Sequence, residues 1–139
     1  MSDQAIVTLV EYDQATDAAE APKPLPKRDY RAVIRAAEVK TGQKNNMYFD
    51  VTFYISADQY PVDYTDGNPE GTEIHYRRIS AEQNPGARWR CRGFIDAIGA
   101  KHGKQIDTNE WIGLEANVTI DHRPFDGLMQ NEITKVSKL

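Results

Sequence analysis

The chain is poor in the features that mark enzymes, secreted proteins and membrane proteins. Its 139 residues hold one cysteine, Cys91. That excludes an internal disulfide and a cysteine zinc cluster, and it suits a reducing, cytoplasmic setting. No run of about 18 apolar residues occurs, so no membrane-spanning helix is expected. The start, Met1-Ser2-Asp3-Gln4, lacks the basic and apolar regions of a signal peptide. The three histidines, His75, His102 and His122, are far apart, and no two sit at metal-ligand spacing. Lys40-Thr41-Gly42 and Asp126-Gly127 read as turns rather than as a phosphate-binding loop. Asp50, Asp58, Asp63, Asp66 and Glu73 are spread through strand and loop, and read as solubilising charges rather than a nuclease metal cluster. Cys91 falls on an apolar helical stripe and reads as a core thiol. The expectation is a protein without catalytic residues, metal or cofactor.

An excess of positive charge is also missing. The formal net charge is −4. The deficit sits at the front: residues 1–24 carry Asp3, Glu11, Asp13, Asp17 and Glu20 against Lys23 alone, and the remainder is neutral. Any nucleic-acid partner must therefore be held by one local face and by stacking, not by a broad basic field.

What is present is a strong alternation of side chains. Tyr30–Lys40 and Met47–Ile55 read as two strands joined by a polar turn through Lys44, Asn45 and Asn46. In the second, Met47, Phe49, Val51, Phe53 and Ile55 share one parity, which marks a sheet with one dry face. In the first, Tyr30, Ala32, Ile34 and Ala36 are assigned to the core. Arg31, Arg35, Tyr48 and Tyr54 then share the outer face, where cations can meet phosphates and flat rings can meet bases. Ser56–Gly71 is a turn-rich loop whose Tyr60 and Tyr64 either clamp a ligand or, the favoured reading, anchor the loop. Thr72–Ile79 reads as a third strand carrying Arg77 and Arg78. Ser80–Gly86 is polar with a Pro-Gly turn. Ala87–His102 reads as a helix with an apolar stripe of Cys91, Phe94, Ile95 and Ile98. Trp111–Ile120 and Leu128–Val136 read as the last two strands, linked by a hairpin segment over Asp121–Gly127. Trp111 is placed at the core edge, and Trp89 reads equally as a seal or an exposed ring.

Residues 1–27 read as a leader, with a strand-like apolar run at Ala5–Val10 and a linker containing Pro22, Pro24 and Pro26. The run is either a mobile segment or a strand that docks on its own domain or on a neighbour, giving a homo-oligomer through residues 5–10. Residues 28–139 form the domain. Five short antiparallel strands with a helix between the third and fourth give the element order of the OB-fold, a partly open five-stranded barrel. Its ligand face lies on strands two and three and the adjoining loops.

The ordered segments Asp29–Gly42, Met47–Phe53, Phe94–Gly99, Trp111–Leu114 and Asn131–Ile133 together resemble the landmarks of the OB-fold single-stranded DNA-binding proteins of tailed phages, over about residues 28–136. The resemblance implies a protein of the host cytoplasm that binds single-stranded DNA during phage replication and recombination. Phosphate contacts are expected from Arg31, Arg35, Lys44, Arg77 and Arg78, and stacking from Tyr48 and Tyr54. The chain departs from the pattern at its end. Many single-strand binding proteins recruit replication partners through an acidic tail, but no acid follows Glu132 here, so recruitment by that route is not expected. The alternative reading is an OB-fold interaction module that engages replication or recombination proteins.

Overall fold

The computed structural model of the chain describes residues 8–139. The first half of the Ala5–Val10 run, Ala5 to Val7, lies outside the described residues. Thr8, Leu9 and Val10 are exposed and belong to no strand. The five strands are β1 (Asp29–Thr41), β2 (Met47–Ile55), β3 (Thr72–Ser80), β4 (Glu115–Phe125) and β5 (Leu128–Ser137), with the helix α1 (Pro85–Ile98) between β3 and β4. They form one antiparallel sheet in the order β3-β2-β1-β4-β5. The sheet is not closed by a backbone ladder. Its two edge strands are bridged instead by side chains, with Arg78 of β3 paired to Glu132 of β5.

The length of β1 lets it serve both halves of the sheet. Its first residues, Asp29–Val33, pair with β4, and Val33–Thr41 pair with β2. The register shifts between Ile34 and Ala36, leaving Arg35 as the extra residue. A bulge bends its strand and resets the alternation beyond it. Tyr30, Ala32 and Ile34 are buried as the parity predicts, but Ala37 rather than Ala36 continues the core face. The assignment of Ala36 to the core is thereby corrected. A second shift, between Phe49 and Val51, sets two β3 residues, Arg77 and Arg78, against Asp50.

The core is aromatic at its centre. Phe49, Phe94 and Trp111 meet at centroid separations of 5.1 and 5.5 Å, and Tyr76 stacks on Phe94 at 5.7 Å. Trp111 is not in a strand, contrary to the sequence expectation. It ends a short 3-10 turn (Thr108–Trp111), and Gly113, at φ 92°, turns the chain so that β4 begins only at Glu115. The Gly113 amide donates to the Ile34 carbonyl, and the Ile34 amide to that of Leu114, which ties this turn to β1.

The helix starts two residues earlier than its stripe suggests, because Pro85 and Gly86 are its first residues rather than a turn. Asn84 caps it by accepting from the Ala87 amide at 2.8 Å. It stops at Gly99 instead of running to His102. Gly99 takes φ 72°, and the Gly99 and Ala100 amides donate to the carbonyls of Asp96 and Ile95, a Schellman ending. Ala87, Cys91, Phe94, Ile95 and Ile98 are its buried face. Among the described residues, no helix is long and apolar enough to cross a membrane.

Tyr60 and Tyr64 anchor their loop, as favoured. They pack edge to face at 5.4 Å. The Tyr60 hydroxyl donates to the Asn68 carbonyl, and that of Tyr64 to the Lys23 carbonyl. The second contact pins the end of the leader, and Leu25 beyond it is fully buried. The core thus extends upstream to Leu25.

Candidate nucleic-acid interface

The outer face of β1, β2 and β3 is organised by a residue the alternation alone makes unremarkable. Asp50 points away from the dry core, yet it is only 4% exposed. Three side chains from the flanking strands close over it. Lys40 Nζ lies 2.8 Å and Arg77 Nε 3.2 Å from one carboxylate oxygen, and His75 Nδ1 lies 2.9 Å from the other. A carboxylate only accepts, so Nδ1 carries the proton and donates. Burial pushes the Asp50 carboxyl up. Lys40, His75 and Arg77 together outweigh it and hold the group at about 2. The cluster therefore holds two permanent cations in place around one buried anion, and the exposed Glu38 carboxylate also comes within 3.9 Å of Lys40. Tyr48, half-buried, lies beside it, opposite Lys40 on β1 and Ser80 on β3. Asp50 is thus a structural counter-ion and not the solubilising charge the sequence suggested.

The other predicted contacts are distributed as follows. Arg35, the bulge residue, lies over the Tyr54 ring, its Cζ 3.4 Å from the ring centroid, and pairs with Glu73 at 3.1 Å. The Tyr54 hydroxyl donates to the Glu70 carbonyl at 2.9 Å. Gly71, at φ +100°, comes so close that a Cβ there would lie 2.3 Å from the ring. Tyr54 is thus enclosed by Arg35 and Gly71, and the flat surface left at this point is the guanidinium. Arg31 pairs with Glu115 of β4 through Nε at 3.1 Å. Arg78 leaves this face for Glu132 at the β3–β5 seam. Lys44 is exposed at the hairpin tip and makes no ion pair among the described residues. Arg35 and Tyr54 therefore meet, and Tyr48 shares the face with Arg77. Arg31, Arg35 and Arg78 each meet a carboxylate.

Around the edge of β3, the face leads into a cleft of about 430 Å³ between β3 and β5, where His75, Arg77 and Arg78 face Arg123, Gln130 and Asn131. Beyond it stands the β4–β5 hairpin, closed by Asp126 and Gly127 at φ 51° and 78°, the two positive values a type I′ turn requires. Phe125, Leu128 and Met129 on this hairpin are more than half exposed. Sequence reasoning missed Lys40, Asp50 and this apolar tip. The only available signal was Phe125-Asp126-Gly127-Leu128-Met129 itself, an apolar cluster around a turn where polar residues are usual.

Among the described residues, no group of His, Cys, Asp and Glu side chains converges as metal ligands would. Cys91 is buried, and burial pushes its thiol up, away from the reactive thiolate. No known family model matches the chain, and no curated protein matches it. No family assignment is therefore supported for the chain.

Proposed function

We propose that the protein is an OB-fold-like, sequence-nonspecific single-stranded DNA-binding protein of the tailed-phage type, acting in replication or recombination in the host cytoplasm. The observation that carries this reading is the Lys40–Asp50–Arg77 cluster, set between Tyr48 and the cleft that leads to the exposed Phe125. Pre-positioned cations next to flat rings suit a flexible polyanion whose bases are unpaired. The strand order, with the helix between β3 and β4 and ligand groups on β2, β3 and the β4–β5 hairpin, agrees with OB-fold usage. In this reading Lys40, Lys44 and Arg77 contact phosphates, Tyr48 and Phe125 stack, and the Arg35 guanidinium offers a flat cation over Tyr54. Arg31 and Arg78 contribute only where DNA displaces their carboxylates.

One observation favours the second reading, a module that binds a replication or recombination protein. Arg31, Arg35 and Arg78 are all neutralised within the molecule, which leaves a face of mixed charge. Polarisation titrations of labelled oligo-dT and of a matched duplex separate the two. Salt-sensitive binding selective for the single strand supports the DNA reading. Absence of binding below about 10 μM at low salt rejects it in favour of the protein partner.

A further inference from the structure

A second concave surface lies towards the other end of β1 from the leader's anchor. It is a groove of about 420 Å³ between α1, the end of β1 and the loop after the helix. Its floor is apolar, made by Val39, Met47, Phe49, Cys91, Ile95 and Ile106. Val39, Met47 and Ile106 are exposed. The rim carries Arg88, Arg92 and Lys104 against the single carboxylate of Glu82, and Glu82 is already engaged with the Met47 amide at 2.8 Å. Beside the groove, β1 offers a free edge. β4 pairs with β1 only as far as Val33, and the Thr108 hydroxyl reaches the Ala37 carbonyl. From Glu38 to Thr41, no strand lies on that side among the described residues.

The groove therefore fits an extended segment that is apolar, acidic and without a partner of its own. Among the described residues, those at 8–12 in the leader are exposed and belong to no strand or turn. Leu9 and Val10 are 76% and 70% exposed. Its sequence is apolar from Ala5 to Val10, and Glu11, Asp13, Asp17 and Glu20 follow. We infer that the groove is the docking site for the leader of a second copy of this chain. The apolar run lies on the floor along the free edge of β1, and the acids meet the arginines and Lys104. An added strand satisfies edge amides and carbonyls while its side chains enter the floor.

The chain's own leader reaches the groove only if the segment from Val10 to Lys23, about 43 Å when fully extended, is drawn out along β1, so a neighbour's leader is favoured by chain entropy rather than by reach. Each leader is pinned beside Tyr30 at the start of β1, where Tyr64 holds Lys23 and His122 holds the Leu25 carbonyl. Val39 lies nine positions along the same strand, roughly 30 Å away. Residues 8–23 are exposed throughout. Leader-to-groove contact is heterologous, so copies can join head to tail.

Sedimentation velocity of the full chain without nucleic acid tests this independently of DNA binding. The parent is expected to associate with rising concentration, less so at high salt. Leu9→Asp with Val10→Asp, and separately Ile106→Asp on the exposed loop, are each expected to sediment as monomers. An equimolar mixture of these two variants restores one intact groove and one intact leader, so it forms a dimer and nothing larger. Lys104→Glu, also exposed, is expected to weaken association about tenfold without disturbing the core. A parent that stays monomeric at about 100 μM overturns the inference. So do variants that associate like the parent, or a mixture that stays monomeric although circular dichroism shows both variants folded.

Discussion

Replacing Asp50 with asparagine keeps the shape of the side chain and removes the charge around which Lys40, His75 and Arg77 are arranged. The carboxyl sits at about 2 in the folded protein against an ordinary aspartate value of 3.8. That interval corresponds to roughly 2 kcal/mol of folding stability. Breaking a fully buried ion pair costs more, about 3–5 kcal/mol, because the surviving partner is stranded. Here the surviving cations are not stranded. The Lys40 and Arg77 side chains are 43% and 54% exposed and can rehydrate, so the lower figure applies. The group is depressed on folding, so its contribution is fully present well above pH 3.8 and fades as pH falls towards 2. Urea unfolding at pH 7 should show a midpoint lowered by roughly 1 M in Asp50→Asn. The gap between the two proteins should shrink from about pH 4 downwards, be mostly lost by about pH 2 and vanish below it. A variant with the parent's midpoint at pH 7, or a gap that persists undiminished at about pH 2, refutes the role given to this carboxylate.

Four further outcomes follow from the geometry. Phe125→Ala, on an exposed hairpin, should leave the thermal midpoint close to the parent's and weaken oligo-dT binding about tenfold, in line with a lost stacked base. Unchanged affinity in a polarisation titration removes Phe125 from the interface. Lys40→Gln should reduce the slope of log affinity against log salt by about 0.7, the share of one phosphate contact on a single strand; an unchanged slope shows that Lys40 serves only Asp50. Gly71→Ala places a methyl against the Tyr54 ring at a φ of +100°. It should cost about 2 kcal/mol or more in chemical denaturation, whereas Gly93→Ala, with open space around it, should stabilise by a few tenths up to about 1 kcal/mol.

The alternation of β2 was enough to place Phe49, Val51, Phe53 and Ile55 in the core, and the helical spacing of Cys91, Phe94, Ile95 and Ile98 to place the inner face of α1. Both periods are properties of a local backbone, so they can be read without knowing what packs opposite. The hairpin at Asp126-Gly127 was legible for the same reason, since its turn chemistry lies in two adjacent residues. The bulges were not legible. An extra residue at Arg35, or at Arg77–Arg78, has no sequence mark, yet each one redirects the side chains beyond it. The first moved the core face from Ala36 to Ala37, and the second sent Arg77 to Asp50 and Arg78 to Glu132. Trp111 was misplaced because its burial comes from Phe49 and Phe94, distant in the chain, and not from a strand of its own.

Charge followed the same division. The sequence set how many cations and anions the domain holds and put an acidic, apolar segment ahead of it. Which cation meets which carboxylate was settled by strand register, which brings residues dozens of positions apart into hydrogen-bond contact. Register left Arg31, Arg35 and Arg78 neutralised and gathered Lys40, His75 and Arg77 on a buried Asp50. Coulomb energy falls with distance and depends on burial, and neither quantity exists until the strands are side by side.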